Sequence, residues 1–136
     1  YPSQVAELSR AARERFPHLE LTQHFHNTRG MAVANTLAAL NAGIDRFDSS
    51  LGGLGGCPYA PGASGNVCTE ELVHMLELEG YDTGVSLEGI LTAAAQLPAL
   101  IGHDVPSQIL KAGHRLNLHP MPDVGGDAMP EQRAFA

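Results

Sequence analysis

The chain has 136 residues, of which 43% are hydrophobic and 17% charged, and its formal net charge is −7. That length fits one domain and that composition supports a packed core, while the acidic balance excludes nucleic acid and anionic membrane surfaces as partners, because both select a basic face. There is no apolar run of about 18 residues to span a membrane, no basic-then-apolar secretion signal, and only two cysteines, Cys57 and Cys68, too few for a disulfide framework; the expected compartment is the cytoplasm.

The opening residues, Tyr1-Pro2-Ser3, lack a Met and run straight into a helical pattern, as though a longer protein were entered partway. Ser3 is the expected N-cap. Val5, Leu8, Ala12 and Phe16 follow at helical spacing, with Arg10, Arg13, Glu14 and Arg15 elsewhere, until Pro17 stops the helix. From His18 the period changes to two. Leu19, Leu21, Gln23 and Phe25 fall on one face, and Glu20, Thr22, His24 and His26 on the other, which predicts a strand over 19–27 with Gly30 as the turn out. Residues 31–42 return to helical register through Val33, Leu37 and Leu40, closed by Gly43, and residues 44–51 read as a second short strand. The order helix, strand, helix, strand implies a βαβ crossover and a parallel sheet.

Residues 52–66 form a long irregular stretch with six glycines and two prolines. Thr69 is expected to cap a helix with Glu70 and Glu71 at the positive end of its dipole and an apolar stripe of Leu72, Val73 and Leu76, ended by Gly80. Ser86 opens another through Leu87, Ile90, Leu91, Ala94 and Leu97, kinked or shortened at Pro98, and residues 106–112 suit a short helical turn. Residues 117–136 read as a mobile tail. Two strands do not bury a sheet on their own, so residues 1–116 are expected to be part of a larger parallel α/β array.

"HFHNTRG", residues 24–30, poses the chemical question. His24 and His26 sit two apart on a strand and so project from one face, roughly 6.6 Å apart at about 3.3 Å per residue, a spacing at which two imidazoles can share a metal ion. They can equally be two polar residues near a strand end. Their place at the carboxyl end of a strand in a βα unit favours the metal. The stretch 52–66 matches neither phosphate-binding glycine motif nor the nucleophile-elbow pattern. A loop of that length in a compact domain is functional or disordered. Cys57, between Gly56 and Pro58, is poorly placed for burial; Cys68 suits the role of a small buried hydrophobe, although a helix start can lower a thiol pKa. Asn66 and Asp48 carry hard oxygen donors, with turn, cap and strand-end roles as the plain alternatives. His18, His74, His103, His114 and His119 read as surface or packing residues.

From about Pro2 to His114 the sequence resembles the C-terminal part of the 3-hydroxy-3-methylglutaryl-CoA lyase family, the lyase branch of the metal-dependent TIM-barrel lyases and synthases. HFHNTRG, ANTLAAL, FDSSLGGLGGCPYAPGASGN and TEELVHMLE carry the likeness. The resemblance implies a (β/α)8 barrel of which these are the seventh and eighth strands. It implies Mg2+ or Mn2+ held by His24, His26 and Asn66, a catalytic Cys57 on a mobile loop, a share for His24 in proton transfer, and an acyl-CoA substrate in a homodimer. Asn27 and Asp48 would stand just behind the ligands. Asn27 departs from the Asp of mitochondrial-type lyases and leans toward the synthases, whereas the Cys57 loop leans toward the lyases. The family's first-strand Arg-Asp pair and a Glu near its second strand are not among these residues. The expected reaction is metal-assisted, retro-Claisen-type cleavage to acetyl-CoA and acetoacetate, with the chain alone inactive. The alternatives are a lyase or Claisen-type synthase for another 3-hydroxy acyl-CoA, and a non-catalytic piece that assembles with other chains.

Overall fold

The computed structural model describes residues 1–56, 59, 62, 65–118, 120 and 121. The order is helix α1 (Pro2–Arg15), strand β1 (Thr22–His24), helix α2 (Ala32–Asn41), strand β2 (Arg46–Asp48), a 3-10 turn at Leu51–Gly53, then helices α3 (Thr69–Leu78), α4 (Leu87–Ala94), α5 (Leu97–Ile101) and α6 (Gln108–Ala112). The two strands pair in parallel with Thr22 beside Arg46, Gln23 beside Phe47 and His24 beside Asp48. The crossover through α2 is the βαβ unit expected from the sequence. The regular strands are shorter than the periods over 19–27 and 44–51, because the ladder lasts only where the two strands lie side by side.

The alternation in the first strand survives. Leu21, Gln23 and Phe25 are half-buried, and Thr22, His24 and His26 are exposed. The helix faces differ from expectation. In α1 the inward line is Val5, Ser9 and Ala12, and Ser9 is fully buried, while Leu8 is 62% exposed. Ser9 is satisfied at both ends: its hydroxyl donates to the Val5 carbonyl and accepts from Gln23 Nε2, each at 2.7 Å, which ties α1 to β1. In α2 the fully buried positions are Ala32, Thr36 and Ala39, small residues that let α1 approach closely; Val33, Leu37 and Leu40 are half-buried. A second buried group forms around α3 from Val67, Cys68, Leu72, Val73, Leu87, Ala94 and Val105.

The caps correct two expectations. Tyr1, not Ser3, is the N-cap of α1, and Pro2 supplies the first helical residue, where its fixed φ and missing N–H cost nothing. Cys68, not Thr69, is the N-cap of α3; the Thr69 hydroxyl instead meets Ser49 Oγ at 2.8 Å. Ser86 caps α4 as expected, accepting from the Gly89 N–H at 3.1 Å. Pro98 divides the expected long helix, lying in the first turn of α5. No described helix is long and apolar enough to cross a membrane. Cys57 and most of the expected tail, His119 and residues 122–136, lie outside the described residues.

Candidate metal centre

The chain returns across the carboxyl ends of both strands. Asn27 N donates to the Gly65 carbonyl at 3.1 Å and Val67 N to the Phe25 carbonyl at 3.0 Å, while Ser50 N reaches the Val67 carbonyl at 3.1 Å and Thr69 N the Ser50 carbonyl at 3.0 Å. Residues 65–69 are thereby laced to the ends of β1 and β2. His26 and Asn66 become directly opposed antiparallel partners. The two bonds lie one residue to either side of them, which makes them a non-hydrogen-bonded pair, with Cα atoms about 4.5 Å apart and side chains on one face. His24 shares that face by the two-residue period. Its ring centroid stands 5.0 Å from that of His26, edge to face at 70°. His24 and His26, two residues apart, and Asn66, forty residues on from His26, therefore project from one face.

Two of the three donors, His24 and Asn66, are held from behind. His24 Nδ1 contacts the Asp48 carboxylate across the β1–β2 register. A carboxylate only accepts, so Nδ1 is the donor, and in the neutral ring Nε2 is the nitrogen that keeps a lone pair. Asn66 Nδ2 donates to the Leu54 carbonyl at 2.8 Å and to Ser50 Oγ at 3.3 Å. A carbonyl accepts only, which fixes the amide orientation and leaves Oδ1 without a donor among the described residues. Asn27 is used differently: its Oδ1 accepts from Ala32 N at 3.1 Å, supplying the start of α2 with the cap that Met31 lacks. Among the described residues no three His, Cys, Asp or Glu side chains make a metal cluster by themselves. The donor set here is two imidazoles and one amide.

Two glycines make the lacing possible. Gly53 has φ +69°, and a Cβ there would lie 2.6 Å from Cys68 Sγ and 3.1 Å from the Asn66 carbonyl; Gly65 has φ +38°, and a Cβ there would run into the Gly53 carbonyl. A residue that sequence reasoning missed anchors this base. Glu70, read as a dipole partner, is fully buried, and its carboxylate accepts the Gly52 N–H at 3.0 and 3.1 Å. Its signal was available: Glu70 lies one helical turn before buried Val73. Cys68 is 2% exposed, and burial pushes its thiol up from 9.0 to about 12, with the nearby Glu71 and Glu70 carboxylates adding to the effect. A helix start can lower a thiol, but here burial sets the direction, and it is upward. The expectation that Cys68 is a small buried residue holds.

Parallel strands with polar donors gathered at their carboxyl ends place the chain among α/β folds whose ligands bind at that edge. The HMGL-like family profile matches residues 1–97. A hydroxymethylglutaryl-CoA lyase from Bacillus subtilis is 49% identical over 110 residues, 81% of this chain and 37% of that protein. An (R)-citramalyl-CoA lyase from Chloroflexus aurantiacus is 45% identical over 112 residues, 82% and 35% respectively. The structure of an HMG-CoA lyase from Acinetobacter baumannii in complex with coenzyme A and 3-methylmalate superposes with a TM-score of 0.85 at 51% identity, covering 90% of this chain and 40% of that one. The chain belongs to the HMGL-like family. Its α/β fold matches TIM-barrel HMG-CoA lyase structures over the part it contains, and it spans about a third of the length of these curated relatives.

Proposed function

We propose that the chain is the C-terminal part of a cytoplasmic, homodimeric acyl-CoA lyase that cleaves 3-hydroxy-3-methylglutaryl-CoA to acetyl-CoA and acetoacetate. In this reading β1 and β2 are the seventh and eighth strands of a (β/α)8 barrel, and residues 1–116 belong to it. The observation that carries the proposal is the convergence of His24, His26 and Asn66 on one face at the carboxyl ends of the strands, in a chain of the HMGL-like family.

Those three donors fit a divalent cation of the Mg2+ or Mn2+ kind, being a mixed nitrogen and oxygen set with no thiolate. When bound, such an ion supplies Lewis acidity that eases ionisation of a substrate hydroxyl. The chain's own groups do the rest. Asp48 fixes the His24 ring so that Nε2 faces the site, where its one lone pair serves either as a ligand or, when the ring is off the ion, as the acceptor of the hydroxyl proton. As that proton leaves, the C2–C3 bond breaks, C3 becomes the ketone carbon of acetoacetate, and the bonding pair passes into the acetyl-CoA enolate. Cys57 then returns a proton to C2, and the proton released by the hydroxyl balances the one given up by the thiol. The glycine-rich stretch 52–66 serves to exclude water from the enolate.

A second reading, cleavage of another 3-hydroxy acyl-CoA, is favoured by the 45% identity to a citramalyl-CoA lyase. The test is turnover by the complete protein with Mn2+ on both thioesters. Acetoacetate release from 3-hydroxy-3-methylglutaryl-CoA, lost with His26→Ala, is expected. Preferential cleavage of citramalyl-CoA would move the assignment to the second reading, and cleavage of neither would overturn both.

A further inference from the structure

Arg29 is the basic residue that follows the histidine pair, and the site as described gives it nothing to do. It lines a cavity of about 360 Å3 together with His26, Thr28, Met31, Asn35 and Tyr1. Its guanidinium has no ion-pair or hydrogen-bond partner among the described residues, although the chain as a whole is acidic. It also stands just ahead of α2, whose first turn holds no acidic residue. Arg29 is exposed and lies two residues before the Met31 N-cap, where a helix end favours an anion over a cation by only a modest, solvent-screened amount. The opposite sequence choice, an acidic first turn, is the one α3 makes with Glu70 and Glu71.

We propose that Arg29 is a specificity residue that binds the free carboxylate of the acyl group, in the cavity it shares with His26. This deepens the lyase reading and rests on it. Planar guanidinium matches a carboxylate through two parallel hydrogen bonds, which a phosphate would also accept. Position separates the two sources. His26 lines the same cavity and belongs to the donor set where the acyl group reacts, whereas the phosphates of coenzyme A lie at the far end of the pantetheine arm. The acyl groups named for two relatives, hydroxymethylglutaryl and citramalyl, both carry a free carboxylate.

The experiment is calorimetric binding of two thioesters to the complete protein and to its Arg29→Gln and Arg29→Lys variants, with Mn2+ present. 3-Hydroxyglutaryl-CoA carries the carboxylate, and 3-hydroxybutyryl-CoA lacks it but keeps every phosphate. Arg29→Gln is expected to weaken the first by roughly 10- to 100-fold and the second by less than about twofold, from the usual strength of charge-assisted hydrogen bonds, with Lys recovering part of the loss. Equal weakening of both would assign Arg29 to the phosphates or to the fold and overturn the proposal, as would no weakening of either. Because binding is read without turnover, a protein whose weakening is confined to 3-hydroxyglutaryl-CoA but which cleaves neither 3-hydroxy-3-methylglutaryl-CoA nor citramalyl-CoA would sink the lyase reading alone, and equal weakening in a protein that does cleave one would sink this proposal alone.

Discussion

Replacing Asp48 should separate metal affinity from stability. In Asp48→Ala the His24 ring loses the acceptor that holds its Nδ1 proton, so the tautomer with Nε2 free is no longer enforced and the ring rotates more freely. Removing a carboxylate behind a metal-binding histidine weakens affinity by about 10- to 100-fold, or roughly 1.4–2.7 kcal/mol. The same contact contributes little to folding. The side chains are 44% and 63% exposed, and pairs that wet are worth roughly 0–1 kcal/mol after solvent screening. Asp48→Asn keeps an oxygen acceptor at the same place without the charge, and should lie between wild type and Ala. The assay is Mn2+ titration of the complete protein by calorimetry, run beside a thermal melt in the absence of metal. Unchanged Mn2+ affinity together with a lowered melting temperature would show that the pair merely ties β1 to β2, and would remove the argument that His24 is a positioned ligand.

Gly53→Ala combines a left-handed φ with contacts to Cys68 Sγ and the Asn66 backbone, and should cost about 2–4 kcal/mol in urea unfolding and weaken Mn2+ binding by displacing Asn66; a loss under 1 kcal/mol would show that the base of the loop yields easily. Cys57→Ser should keep fold and metal while cutting kcat, since a hydroxyl is a far weaker acid than a thiol of pKa about 8.5; near-normal kcat with a lower melting point would assign Cys57 to packing. The fold raises the Cys68 pKa to about 12 from 9.0, so the unfolded chain releases that proton first as pH climbs. Stability from this group is complete below about pH 9 and declines between pH 9 and 12, by at most ~1.4 kcal/mol per pH unit. Unfolding curves of wild type and Cys68→Ala across that range should diverge, and parallel curves would refute the burial argument.

The parallel pairing was legible because the order strand, helix, strand calls for a crossover, and the shared face of His24 and His26 because it follows from a period of two residues, a local property. The partner of that pair was not legible from spacing. Asn66 joins it only because residues 65–69 cross both strand ends, a path that depends on glycines whose positive φ leaves no mark on hydropathy. The family resemblance named Asn66 for that reason and not through any local rule. Caps were misplaced by one or two residues at Ser3 and Thr69, where several polar residues compete and tertiary contacts choose among them. The burial of Cys68 was legible, but the direction of its shift was left open, since the dipole argument is local while the burial that opposes it comes from tertiary contacts around the sulfur. Glu70 does stand in the first turn of α3 as read, but its burial was not legible for a related reason: a carboxylate there suggests solvent, yet here it faces inward toward the Gly52 N–H.

The burial of Cys68 makes the sulfur a natural clock. A thiol at 2% exposure, with its proton held to about pH 12, is silent toward alkylating reagents near neutrality while α3 and its neighbours stay closed. It becomes reactive only in states that have opened. Its labelling rate at high reagent concentration therefore counts openings, and at low concentration reports their equilibrium population, the same two regimes that govern amide exchange. A Cys57→Ser chain would carry this reporter alone, so the free energy of opening around the strand ends can be followed in dilute solution by mass shift, with no chromophore introduced.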